Sequence, residues 1–374
     1  MRKVMSIVGT RPELIKMCRV IALLDEQTQH VLVHTGQNYD YGLNQVFFED
    51  LDIRKPDHFL EAAGGSAIDT IAEVLKRSDA VMEQEKPDAV LIYGDTNSGL
   101  AVIAAKRRKI PVFHMEAGNR CFDQRVPEEL NRKVIDHLSD INMTLTEHAR
   151  RYLVAEGLPP ELTFNVGSHM HEVLEHFRPR YEASDILTRL ELTSGRFFVV
   201  SSHREENVDS ERNLADLLDS LNGLAETYDW PVIVSTHPRT RKRLETLGET
   251  EIDSRVRFLP PFGFHDYIKL QMTAACVVSD SGTITEESSL LGFPAVTVRQ
   301  AHERPEGMDE GTLVMCGLAR EPVLDSVRFV MHAHACGLTP RPVADYVAGS
   351  VSRKVVAIVL SYIDYINRTV WRRS

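Results

Sequence analysis

Lys3-Val4-Met5-Ser6-Ile7-Val8-Gly9-Thr10-Arg11-Pro12-Glu13-Leu14-Ile15-Lys16 is the stretch that decides the fold. Its apolar run, Lys3–Val8, is too short for a helix and reads as a strand buried on both faces. Gly9-Thr10 ends the run, and a helical pattern follows with Leu14, Ile15, Cys18, Val20 and Ile21 on it. Strand, glycine turn and helix make the first half of a βαβ unit. The alternation continues outward: 30–34, Ala89–Tyr93, 110–114 and 141–145 read as further strands, with a helix at about 67–85. Strands alternating with helices predict a parallel sheet covered on both sides.

The pattern then restarts. Strands are expected at 197–201, Val232–Ser235, 255–259, 275–279 and 295–298, with a helix over 213–228. The segment 167–195 between the halves is mixed, polar in its second part, and contains Pro179. The chain's 374 residues, at roughly 150 per domain, also suggest two domains. We therefore expect an α/β protein of two Rossmann-like domains, 1–168 and 169–352, with a ligand cleft between them at the carboxyl ends of the strands. The tail 352–374 is one helical pattern. Val355, Ile358, Val359, Tyr362, Ile363 and Ile366 form a stripe, with Trp371 beyond it. Arg368, Arg372 and Arg373 would suit a membrane surface. The stripe is as wide as a core helix needs, so docking on the body is expected.

Hydrophobic residues make up 43% of the chain and charged residues 26%, which is ordinary for a globular protein. A net charge of −11 argues against nonspecific nucleic-acid binding. It leaves room for a phosphate ligand, which needs only local cations and backbone N–H groups. The five cysteines are odd in number and form no CxxC, so neither a disulfide framework nor a zinc ribbon is expected. The run at the N-terminus is too short for a signal sequence, and no apolar stretch reaches the roughly 18 residues that span a membrane. A cytoplasmic protein with no membrane partner is expected.

Several motifs sit where an α/β active site belongs. Gly9-Thr10-Arg11-Pro12-Glu13 joins a strand end to a helix N-terminus, an anion site that Arg11 and Lys16 would strengthen, or simply a helix cap with Pro near its start. Asp95, in Gly94-Asp95-Thr96, and Glu116, in His114-Met115-Glu116-Ala117-Gly118, each follow a strand; Glu128 lies in Pro127-Glu128-Glu129. Each alone could be a cap or a first-turn acid. Three acids on one rim favour acid/base chemistry. In the second half, His203 follows a strand, and a histidine there can move a proton near neutral pH. Asp280-Ser281-Gly282-Thr283 opens a helix carrying Glu286 and Glu287, again a place for a diphosphate with a carboxylate near the ribose. Arg299 and Arg304 add cations near that rim. His332, His334 and Cys336 only faintly resemble a metal site: their i, i+2, i+4 spacing puts all three on one face of a strand but only the i, i+4 pair together on a helix. No metal is expected.

These blocks resemble the non-hydrolysing UDP-N-acetylglucosamine 2-epimerase family over almost the whole chain. They include Gly9-Thr10-Arg11-Pro12-Glu13 with Lys16, Gly94-Asp95-Thr96, and His114-Met115-Glu116-Ala117-Gly118 with Arg120. Further matches are Pro127-Glu128-Glu129 with Asn131-Arg132, His203-Arg204 with Glu206-Asn207, Asp280-Ser281-Gly282 with Glu286-Glu287, and Glu303-Arg304-Pro305-Glu306. The resemblance implies the GT-B arrangement, with the C-terminal helix, about 353–374, crossing back to the first domain. It implies C2 epimerisation of a UDP-sugar without nicotinamide or metal: UDP is eliminated to a 2-acetamidoglycal and then adds back. Carried over residue by residue, Asp95, Glu116 and Glu128 are the proton-transfer groups, and His203 assists the departing diphosphate. Arg11 and Lys16 line the sugar-phosphate side, Ser281 and Gly282 bind phosphate, Glu287 the ribose and Tyr267 the uracil face. A homodimer is also implied.

The sequence departs from the common family form at His302, at Asn119, over Thr35 to Tyr41, and at His237-Pro238-Arg239-Thr240. Together these resemble the branch from capsule and O-antigen clusters. That branch converts a UDP-2-acetamido-2,6-dideoxy-L-hexose to UDP-N-acetyl-L-fucosamine. UDP-GlcNAc is the alternative substrate, and a GT-B glycosyltransferase or a nucleotide-sugar binding protein are the alternatives of other classes.

Overall fold

The computed structural model describes residues 1–36, 48–202, 210–236, 252–299 and 304–373. The chain divides into two compact units, Met1–His176 with Ala344–Ser374, and Phe177–Val343. The sequence reading put these junctions at 168 and 352. The first lies later because one helix, Met170–Glu182, carries the chain across it, with Pro179 inside that helix.

The first unit is built on a seven-stranded sheet. Its strands are β1 (Lys3–Val8), β2 (Gln29–His34), β3 (His58–Phe59), β4 (Ala89–Tyr93), β5 (Val112–Met115), β6 (Ile141–Thr144) and β7 (Thr163–Asn165). They lie in the order β3-β2-β1-β4-β5-β6-β7, and every pairing is parallel. All five residues of β4 are buried, as a strand covered on both faces requires. Met5, Ile7, Val33, Val90, Ile92 and Val112 pack with Val74 and Ile135 from the flanking helices.

The second unit has a six-stranded parallel sheet. Its strands are β8 (Phe198–Ser201), β9 (Val232–Ser235), β10 (Val256–Leu259), β11 (Cys276–Ser279), β12 (Ala295–Thr297) and β13 (Val314–Met315), in the order β10-β9-β8-β11-β12-β13. Side-chain alternation along β8 divides the core in two. Phe198 and Val200 face the Glu211–Tyr228 helix through Leu214, Leu217 and Leu221, while Val199 joins Phe197, Leu270 and Ile284 on the opposite side.

Both sheets are doubly wound. In each, the strand order reverses beside the first strand, between β1 and β4 and between β8 and β11. Such a switch point opens a crevice at the carboxyl ends of the two strands.

The tail helix, Val351–Thr369, belongs to the first unit. It buries Val355, Val359, Ile363 and Ile366. Ser352 donates through its N–H and hydroxyl to Glu172, Arg2 pairs with Asp364 at 2.6 Å, and Tyr362 packs edge-on to Phe164. The apolar stripe is thus spent on the body, not offered to a membrane surface. Among the described residues no helix is long and apolar enough to cross a membrane.

Candidate active site

At the first switch point the two loops are stitched together by Glu13. Thr10 and Glu13 occupy the N-cap and third positions of the Arg11–Gln27 helix. The Glu13 carboxylate reaches back to accept from the N–H groups of Gly9 (2.6 Å) and Thr10 (3.2 Å), satisfying donors the helix start leaves unpaired. Its other oxygen accepts from the Thr96 hydroxyl at 2.6 Å, in the loop after β4. Burial, helped by the charge of Asp95, pushes the Glu13 carboxyl up to about 7 against the pull of these donors. Arg11, half-buried, opens the same helix.

Lys16 lies on the next turn of that helix and is buried. Its ammonium meets Glu116 Oε2 at 2.5 Å. The Tyr93 hydroxyl, from the last residue of β4, donates to the same oxygen, and Asn119 Nδ2 donates to Oε1 at 3.1 Å. Lys16 also stands 5.4 Å from the centre of the Tyr93 ring. Glu116 follows β5 directly, with a φ of +60°. A glutamate in the left-handed region is strained and persists only where its surroundings hold it. Gly118, at φ +82°, completes the turn, and a Cβ there would come within 2.5 Å of the Ala149 carbonyl oxygen.

Behind this turn, Asp136 accepts from Arg120 (2.7 Å) and the Gly118 N–H, and meets His114 Nδ1 at 2.9 Å. Burial would raise the Asp136 carboxyl, but His114 and Arg120 together hold it below its ordinary value. Arg120 continues to Glu156. It supports the turn from behind.

Asp95 is held by the Pro127–Leu138 helix. Arg132 bonds it through Nε at 2.8 Å and meets Glu129 at 2.8 Å, while Asn131 donates to the Asp95 carbonyl at 2.9 Å. Glu128 precedes Asn131 by three residues and Arg132 by four, so it shares their helical face. Glu116 and Asp95 leave neighbouring strands, with Met115 in register with Tyr93. The structure therefore brings Arg11, Lys16, Asp95, Glu116 and the helix of Glu128 to the carboxyl ends of β1, β4 and β5.

In the second unit, Ser202 donates to the buried Asp280 at 2.9 Å, joining the ends of β8 and β11 at that switch point. Ser281 and Gly282 follow, half-buried, just before the Ile284–Leu291 helix. The Ser281 hydroxyl lies 3.0 Å from that of Thr283. Glu287 accepts from Gln271 at 2.6 Å, and Tyr267 lies one helical turn before Gln271 on the Phe264–Thr273 helix. Arg304 is buried and meets Glu286 at 2.9 Å. His203 and His302 lie outside the described residues, as do 37–41 and 237–240. His332 and Cys336 face each other at 3.6 Å across one turn at the end of the Arg320–Ala335 helix.

Sequence reasoning did not single out Glu13, Tyr93 or the anchoring role of Arg132. The Thr-x-x-Glu spacing of a capping box was the available signal for Glu13.

The family model described as UDP-N-acetylglucosamine 2-epimerase matches residues 22–360. The UDP-2,3-diacetamido-2,3-dideoxy-D-glucuronate 2-epimerase of Pseudomonas aeruginosa is 35% identical over 87% of this chain and 91% of its own. The solved UDP-N-acetylglucosamine 2-epimerase from Rickettsia bellii is 60% identical over the whole of both chains, with a TM-score of 0.94. The UDP-GlcNAc 2-epimerase of Methanocaldococcus jannaschii, solved with UDP-GlcNAc and UDP, is 29% identical over 96% of this chain and 99% of its own, with a TM-score of 0.89. The two parallel-sheet units are those of the GT-B-like class. The chain belongs to the UDP-N-acetylglucosamine 2-epimerase family and is an isomerase acting at C2 of a UDP-sugar.

Proposed function

We propose that the enzyme inverts C2 of a UDP-2-acetamido sugar by eliminating UDP and adding it back. The C2–H bond breaks as a base takes the proton, its electron pair forms the C1–C2 double bond, and the C1–O pair leaves with UDP. A proton then returns to the opposite face of C2 while UDP re-adds at C1. One observation carries this reading: Asp95 and Glu116 stand on adjacent strand ends, each anchored separately, and Glu128 shares the face of the helix that anchors Asp95. Inversion needs proton-transfer groups for both faces, which a set of separately held acids supplies. In this reading His203 assists the leaving diphosphate, Arg11 and Lys16 line the sugar-phosphate side, and Arg304 binds substrate at the rim of the second unit. Ser281 and Gly282 take the diphosphate, Glu287 the ribose and Tyr267 the uracil.

The favoured substrate is UDP-2-acetamido-2,6-dideoxy-L-talose, converted to UDP-N-acetyl-L-fucosamine for capsule or O-antigen synthesis. The departures over Thr35 to Tyr41 and at Asn119, His237 to Thr240 and His302 support it. Conversion of UDP-GlcNAc to UDP-ManNAc is the second reading, supported by the Methanocaldococcus jannaschii relative solved with UDP-GlcNAc and UDP. Proton NMR in D2O, with each nucleotide sugar in its own tube, separates them: deuterium enters C2 only of the true substrate. Exchange confined to UDP-GlcNAc would overturn the fucosamine reading, and exchange in neither would overturn both. Asp95→Asn and Glu116→Gln are each expected to cut exchange at least about 100-fold while UDP still binds. Wild-type exchange in either variant removes that residue from the chemistry.

The protein is further proposed to be a homodimer. Leu130 and Val134 stand exposed one turn apart on the Pro127–Leu138 helix, with Phe122 exposed before its start. Light scattering should give about twice the 42.2 kDa of one chain. A mass of one chain would remove the dimer.

A further inference from the structure

The two oxygens of Glu116 have partners of different chemistry. Oε2 accepts from the Lys16 ammonium at 2.5 Å and from the Tyr93 hydroxyl. An ammonium carries no acceptor, so a proton placed on Oε2 would confront a donor that cannot turn away its hydrogens. Oε1 accepts from Asn119 Nδ2 at 3.1 Å. A carboxamide has a donor on one side and an acceptor on the other. Turning the Asn119 amide over lets it donate to a carboxylate or accept from a carboxylic acid. Asn119 is itself buried.

We infer that Glu116 gains and loses its proton at Oε1, that Lys16 and Tyr93 hold Oε2 in both states, and that Asn119 is a positioning residue serving each state by reversing its amide. The inference rests on the reading of Glu116 as a proton-transfer group. In the forward step the proton leaves C2 for Oε1, the C–H pair turns the C1–C2 single bond into a double bond, and the C1–O pair departs with UDP. When Glu116 returns a proton, the same Oε1–H bond breaks. The strained backbone of Glu116, at φ +60°, fits this assignment, because three donors from three segments fix one orientation of its carboxylate.

Among the described residues, Lys16 on the first helix, Tyr93 at the end of β4 and Asn119 in its own loop bond the Glu116 carboxylate. His169 stands edge-on to the Tyr93 ring at 5.5 Å, the Asp95 carboxylate lies in the loop after β4, and the Glu13 carboxylate lies in the first turn of the Arg11–Gln27 helix. Asn119 bonds the carboxylate more strongly than the neutral acid, because a bond to an ionised acceptor is the stronger one, so losing it raises the pH at which Glu116 becomes a base, and a second carboxylate beside it raises that pH further. The acid limb of kcat/KM for C2 exchange should therefore move up in the order Asn119, Asn119→Leu, Asn119→Asp. Tyr93→Phe should also raise it. Shifts on the order of one pH unit are expected, with kcat down about tenfold and UDP affinity unchanged.

The measurement is C2 deuterium exchange by full-length enzyme, on whichever of UDP-GlcNAc and UDP-2-acetamido-2,6-dideoxy-L-talose the wild type turns over. Circular dichroism checks the fold of each variant. A residue that only supports the fold would lower activity without ordering the acid limbs in this way. Limbs and kcat at wild-type values in Asn119→Leu and Tyr93→Phe overturn the inference, and these two suffice if Asn119→Asp does not fold. Glu116→Gln separates the two levels: if it is inactive while the Asn119 limbs stay put, only this inference fails. If Glu116→Gln still exchanges C2, the reading beneath it fails too.

Discussion

Glu13 is an acid whose surroundings work against its charge. Its carboxylate is buried, bonded to two backbone N–H groups and a threonine hydroxyl, and close to Asp95; burial prevails and raises it from 4.5 to about 7. Between those two pH values the folded protein keeps a proton that the unfolded chain has lost. The folded state then binds more protons at this group, so the contribution of Glu13 to stability falls as pH rises through this window and is fully present only below about 4.5. Glu13→Gln carries no such slope, and all other titrating groups are common to both proteins. Urea unfolding at pH 5 and at pH 8 should show the wild type losing on the order of 2–3 kcal/mol relative to the variant across that interval. A wild-type to variant difference that stays the same at both pH values would show that Glu13 is ionised throughout. Arg132 handles the neighbouring acid in the opposite manner. It places a fixed cation between Asp95 and the buried Glu129, whose carboxyl is held below its ordinary value, because Arg132 and the Cys121 N–H together outweigh burial.

At the scale of the element, the long apolar runs were legible and the short edges were not. Lys3–Val8, Ala89–Tyr93 and Val232–Ser235 have the expected bounds, because a strand buried on both faces shows its whole length as apolar sequence. The edge strands His58–Phe59 and Val314–Met315 have two residues each, too few for any period to appear, and β7 has three. The Arg320–Ala335 helix was missed because only Val323 and Val327 are fully buried on it, and His332, His334 and Cys336 drew the reading toward ligands. At the site, strand ends told where Asp95 and Glu116 stand. What holds them was invisible, since the bonds of Glu116 to Lys16 and Tyr93 join residues far apart in sequence. Glu13 looked like any first-turn acid, although the Thr-x-x-Glu spacing foretold its backbone bonds.

At the scale of the molecule, the first unit is closed by both ends of the chain. Arg2 pairs with Asp364, and the Val351–Thr369 helix packs on the Arg11–Gln27 helix, so its buried face completes a core begun some 340 residues earlier. The second unit has its own sheet and its own core clusters. A cavity in the tail helix should therefore weaken one unit more than the other. Ile363 is fully buried, and Ile363→Ala should cost the first unit about 2–5 kcal/mol through lost burial and an unfilled cavity. Leu360 is 41% exposed on the same helix, and Leu360→Ala should stay within about 0.5 kcal/mol. The two tryptophans make this measurable, because each unit has one. Trp371 lies under the Lys106 ammonium at 4.6 Å in the first unit, and Trp230 packs against Phe198 and Tyr228 in the second. With Trp230 replaced by Phe, urea unfolding followed by fluorescence reads the first unit; with Trp371 replaced by Phe, it reads the second. Ile363→Ala should move the transition seen by Trp371 to lower urea and leave the one seen by Trp230 in place. Equal shifts at both would mean that the two units unfold as a single cooperative body despite their separate cores.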